Sequence, residues 1–126
     1  MRRAQIAIEF IIIMAMAIII GMLFLASAAD LFTRESEKQR ITALHDVGYR
    51  IQDELILATT VTDGYERTFT VPSRADRFTY TVVSDAEAIT LHSGSVIITY
   101  SLPAYTGSVQ KGSNTITKIN GTVSVS

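Results

Sequence analysis

The residues of this 126-residue chain best placed to do chemistry stand at its start. A basic pair, Arg2-Arg3, precedes Ala4-Gln5. A single acid, Glu9, then introduces Phe10 and an uncharged apolar run reaching Ala29. A lone carboxylate among apolar helices is costly unless it meets a positive charge, so the chemistry expected of Glu9 is charge pairing. The other polar candidates carry less. His45 and His92 are far apart, and neither sits in a metal-binding spacing such as HExxH. No Gly-rich phosphate loop and no Ser/His/Asp signature occurs. Asp53-Glu54 and the Asp85, Glu87 pair read as solvated charges, with weak cation binding as the most a loop pair offers. No catalytic residue, metal or cofactor is expected.

The element that must position Glu9 is the run Gln5–Ala29. A helix of about 20 apolar residues spans the roughly 30 Å hydrocarbon core of a bilayer. Ten residues from Phe10 to Ala29 are Ile, Leu or Phe. At about −0.3 to −0.6 kcal/mol each near the bilayer centre, they outweigh a Glu costing at most about 2.5 to 3.5 kcal/mol. Insertion is therefore favourable despite the acid. The basic head favours a cytoplasmic N-terminus, with residues 30–126 outside. Net charge of −1 and no basic block beyond the head argue against a nucleic-acid binder. With no cysteine, an external domain must be held by packing and hydrogen bonds alone.

Three readings of the run compete: a permanent anchor, a secretory signal cut near Ala26-Ser27-Ala28, and a third that explains Glu9. Arg2-Arg3-Ala4, then Gln5-Ile6-Ala7-Ile8-Glu9-Phe10, then an apolar helix, resembles the N-terminus of a type IV prepilin, in a form similar to archaeal adhesion pilins. The commonest pattern has Gly where Ala4 stands, and the archaeal form often has Ser where Ala7 stands. The resemblance implies cleavage between Ala4 and Gln5 by a prepilin peptidase, with the helix retained, and places Glu9 at the family's acidic position. Such a cut exposes the Gln5 α-amine. Five residues rise about 7.5 Å, so an axially displaced neighbour would bring its amine to Glu9 and fix register. Gln5, Glu9 and Phe10 are the expected assembly residues. Ala15, Ala17, Gly21 and Ala26 are candidate packing positions between helices, since small residues let helices approach closely.

Helical periodicity continues past Asp30. No proline occurs before Pro72, and Ile41, Leu44, Gly48, Ile51, Leu55 and Ala58 fall at three- and four-residue steps on one face. Residues 33–40 read as a solvated collar. One helix from about Ile6 to about Thr60 would be on the order of 80 Å long. After the Asp63-Gly64 turn the pattern becomes alternating, with strands expected over residues 65–71, 78–83, 88–92 and 95–102. His92-Ser93-Gly94-Ser95 reads as a hairpin turn. Asn120-Gly121, between residues 115–119 and 122–125, is the strongest hairpin signal. Asn120-Gly121-Thr122 is also an N-glycosylation sequon. One antiparallel sheet of five or six strands is expected, presenting Phe69, Phe78, Tyr80, Leu91, Ile98 and Tyr100 to the helical stripe.

The expected fold class is α+β: a long N-terminal helix, apolar then amphipathic, packed against a C-terminal antiparallel β domain, as in type IV pilins. Its divisions are a 1–4 leader, a 5–29 apolar helix, a 30–60 amphipathic continuation and a 61–126 β domain. The expected function is that of an extracellular filament subunit that waits in the membrane, polymerises with its own copies and serves adhesion. The resemblance implies a prepilin peptidase, an assembly ATPase and a membrane platform protein as partners. The rival expectation is a membrane-anchored or secreted β-domain binding module.

Overall fold

The computed structural model describes residues 2–126, with side chains from Gln5 onward. Met1 and the side chains of Arg2, Arg3 and Ala4, which carry most of the expected leader, lie outside the described residues. The architecture is α+β. Helix α1 runs Arg2–Thr60 and is followed by strands β1 (Glu66–Val71), β2 (Thr81–Asp85), β3 (Ala88–Ser93), β4 (Val96–Ser101), β5 (Thr106–Gly107), β6 (Gly112–Ile119) and β7 (Thr122–Val125). The chain forms two compact units, one up to Lys38 and one from Gln39 to Ser126, with the division inside α1.

The first unit is helix alone. Two of its hydroxyls bond back to the helix: Ser27 Oγ donates to the Leu23 carbonyl at 2.9 Å and Thr33 Oγ1 to that of Ala29 at 3.0 Å. Such back-bonding lets a hydroxyl sit in apolar surroundings without a stranded polar atom. Asp30 and Arg34 pair at 3.0 Å one turn apart, both well exposed, so the pair adds only a few tenths of a kcal/mol.

In the second unit α1 buries Leu44, Val47, Gly48, Ile51, Leu55 and Ala58. The expected stripe is present, except that Ile41, one turn before its first buried member, is 38% exposed. Against it lie Phe69 and Val71 of β1, Ile116 of β6, Val123 and Val125 of β7, Ile89 and Leu91 of β3, and Tyr100 of β4. Phe78 and Ile98 are only half-buried, while Ile89 and Ile116 are fully buried. Gly48 is a close-approach position: a Cβ there would stand 2.1 Å from Tyr100 Cε2, so no larger residue fits while the ring stays.

The expectation of one antiparallel sheet is corrected. Two sheets form, one four-stranded in the order β1-β6-β7-β5 and one three-stranded in the order β2-β3-β4. The cause lies between Pro72 and Tyr80. Pro72 ends β1, and a tight turn follows in which Ala75 and Phe78 exchange both backbone hydrogen bonds, at 3.0 and 2.9 Å, around Asp76 in the left-handed region. The second strand therefore starts at Thr81 instead of Phe78 and pairs with β3, away from β1. The β5–β7 pair is parallel, again unlike the expectation. Gly107 makes it possible: its φ is +95°, and a Cβ would lie 1.9 Å from the Val125 carbonyl oxygen.

Turn chemistry explains the hairpins. Asn120 and Gly121 have φ of 51° and 78°, the two positive values a type I′ turn requires between β6 and β7. The β3–β4 hairpin turns at Gly94-Ser95. His92 and Ser93, read from sequence as turn residues, belong to β3, where His92 sits opposite Thr81 and Ile97. The end of α1 is tied to β6: Lys118 Nζ donates to the carbonyls of Thr59 and Val61, each at 2.7 Å. A cation there also complements the negative end of the helix dipole. Asp63 Oδ1 accepts the Gly121 N–H at 2.8 Å, linking the turn after α1 to the β6–β7 hairpin. The buried Asn114 side chain holds the loop before β6, accepting from Gln110 N and donating to the carbonyls of Gln110 and Gly112.

Two buried tyrosines make this unit sensitive to alkali. Burial pushes Tyr80 up to about 12. Tyr100 also rises to about 12, first by burial and then through Tyr49 and Asp46. A raised pKa in the folded state means that above about pH 10 the unfolded chain has lost protons the folded chain still holds. Stability is thus full below pH 10 and falls as pH rises from about 10 to 12. A melting series over that range should show the fall, and Tyr100→Phe should make it shallower.

Candidate functional site

What the described residues of the first unit present is an apolar surface. Every large apolar side chain from Ile6 to Phe32 is exposed, reaching 73% at Phe24 and 77% at Phe32. Leu, Met and Ala favour helix, no proline interrupts the segment, and the cost of Gly21 is small against its length. The helix is long and apolar enough to cross a membrane by length and composition. A contiguous apolar surface of this size marks a site for lipid or for another protein.

Of the expected assembly residues, Gln5, Glu9 and Phe10 are all exposed on α1. Gln5 and Glu9 are four residues apart and share a face about 6 Å apart along the axis. Ala4 has helical backbone, and its side chain lies outside the described residues. The small residues fall on two faces. Ala17 and Gly21 share one by their four-residue spacing, and Ala15 and Ala26, eleven apart or about three turns, share another. A Cβ added at Gly21 would meet nothing within 4 Å, so no contact inside the chain calls for glycine there.

The remaining polar candidates separate into structural roles. His45 stacks on Tyr49 with centroids 5.5 Å apart, and its Nδ1 shares a hydrogen bond with the Tyr100 hydroxyl over Gly48. Glu54 Oε2 lies 3.0 Å from Arg67 Nε, an ion-pair distance without hydrogen-bond alignment, while Asp53 is exposed. Asp85 Oδ1 accepts the Ala86 N–H at 2.8 Å, which makes it a turn residue between β2 and β3. Among the described residues no group of three or more His, Asp or Glu side chains is placed to hold a metal. Asn120 and Thr122 of the sequon are exposed at the hairpin tip.

One arrangement escaped the sequence reading. Arg40, Arg74, Arg77 and Phe78 come together around an open cavity of about 290 Å³. The basic loop after Pro72 was its only sequence signal, and nothing in the spacing linked it to Arg40. Compared with family models, with curated proteins and with solved structures, the chain matches none of them.

Proposed function

We propose that this chain is the structural subunit of a type IV pilus-like extracellular filament serving adhesion. One observation carries the reading: an apolar helix, exposed on every side and bearing a lone acid near its start, continues without a break into the helix that seats a β domain. Held in a membrane, such a helix is solvated by lipid. In a filament core, neighbouring apolar helices replace lipid contacts nearly one for one, and Glu9 supplies register through the Gln5 α-amine of an adjoining copy. Processing between Ala4 and Gln5 by a prepilin peptidase creates that amine. An assembly ATPase and a membrane platform protein then drive extraction. Nothing in the role requires a catalytic residue.

Mass spectrometry of the N-terminus of the cellular protein tests the reading. A chain beginning at Gln5 is the expected result. An intact Met1 would replace the filament subunit with a permanently anchored binding module, and a start at Ala29 with a secreted domain.

A further inference from the structure

We propose that the arginine-lined cavity beside Phe78 binds a dianionic phosphate group, either the free ion or the terminal group of a phosphorylated polyol. The site belongs to the second unit, and the inference makes no use of the filament reading. Arg40 comes from α1, and Arg74 and Arg77 from the loop between β1 and β2. Ser93 and Gly94 of the β3–β4 hairpin close the far side.

Four features mark this as more than a solvated basic surface. Among the described residues, three arginines and no carboxylate line the cavity, while Asp76 of the same loop lines a neighbouring cavity with Arg74, so the charge at this cavity favours an anion. Phe78 is a common platform: the guanidinium carbons of Arg40 and Arg77 stand 5.1 and 5.2 Å from its ring centroid, which fixes both cations at the cavity. Gln39 Oε1 accepts from Arg77 Nη2 and steadies that group further. Arg40 Nε is buried with no hydrogen-bond partner, a donor left to be satisfied. Gly94 leaves the guanidinium its room, since a Cβ there would lie 2.5 Å from Arg40 Nη1.

The chemistry of the donors selects the ligand. Arginine forks match planar or tetrahedral oxyanions through paired N–H bonds. A carboxylate brings one charge and two oxygens. A phosphate monoester brings close to two charges and three strong acceptors, the better match for three guanidiniums. A cavity of about 290 Å³ lies at the lower limit of small-molecule sites, so it takes one such group and not a whole drug-sized ligand.

The test uses the full chain in uncharged detergent micelles at pH 8, with ionic strength held constant by chloride. Isothermal titration with inorganic phosphate should show saturable binding. The double variant Arg74→Gln/Arg77→Gln, at two exposed positions, should weaken it at least about tenfold, the loss expected when charge-assisted hydrogen bonds are removed. An unchanged melting temperature of the phosphate-free variant establishes that the fold is retained. Acetate should bind at least about tenfold more weakly than phosphate. Glycerol 3-phosphate, titrated in parallel, separates the sources: tighter binding than inorganic phosphate marks a phosphorylated polyol, weaker binding the free ion, and either supports the site. Equal phosphate binding by the double variant, or acetate binding as tightly as phosphate, overturns the proposal.

Discussion

If the chain is the filament subunit proposed above, replacing Glu9 by valine should leave membrane insertion intact and abolish filament assembly. In lipid the substitution removes a residue costing up to about 2.5 to 3.5 kcal/mol and adds a favourable one, so insertion cannot suffer. In the proposed filament core the balance would reverse. Removing one partner of a buried ion pair leaves an uncompensated charge and costs about 3 to 5 kcal/mol, here for the Gln5 amine of each adjoining copy. The cost recurs at every subunit, so even the lower figure prevents growth of a long polymer. Electron microscopy of sheared surface material, together with alkaline extraction of membranes, reads both halves of the expectation. Filaments of normal number and length in the variant would remove the registering role assigned to Glu9.

The second large effect is expected from Ile51→Asp. Ile51 is 1% exposed at the centre of the stripe that meets both sheets, and its side chain contributes about 1.5 to 3 kcal/mol by burial. An aspartate would lose that term and bring an unpaired carboxylate into an apolar core, so a loss above about 4 kcal/mol is expected, comparable to the whole stability of a small domain. Near-ultraviolet dichroism of the full chain in detergent should collapse. Ile56→Asp, on the same helix but 45% exposed, serves as the control and should stay within about 0.5 kcal/mol of the parent. An unchanged melting temperature for Ile51→Asp would mean that the stripe is not the seat of the β strands.

Both predictions depend on features legible in the residue pattern. Helix α1 follows from apolar periodicity and the absence of proline, and its buried face follows from Leu44, Ile51, Leu55 and Ala58 at three- and four-residue spacing. Val47 was not assigned to that face because its neighbour Gly48 filled the same step of the pattern. Strands β1, β3, β4, β6 and β7 were legible from alternation bounded by Pro72, Gly94, Pro103 and Asn120-Gly121. The division into two sheets was not. Alternation gives the faces of a strand but not its partner, and here the partner is set by the Ala75–Phe78 turn, whose left-handed residue is an aspartate and not a glycine. Strand β5, two residues long, is too short to carry any period. The arginine cavity was nearly as silent, because Arg40, Ser93 and Gly94 are distant in sequence from the loop that carries Arg74, Arg77 and Phe78. Glu9 is the opposite case: it stood out in the sequence as a lone carboxylate at the start of an apolar run, and it is exposed on α1.

The place of β7 between β6 and β5 has a consequence for biosynthesis. Chains emerge from the ribosome N-terminus first, so the apolar stripe of α1 appears some sixty residues before residues 122–125, which complete the sheet that covers it. Strand β1 likewise waits for β6, since Glu66 pairs with Thr117 and Val71 with Gly112. Contacts so distant along the chain close slowly. Throughout elongation the nascent chain therefore carries two unprotected greasy surfaces in tandem, and the second stays open to solvent until the strands that cover it have been translated.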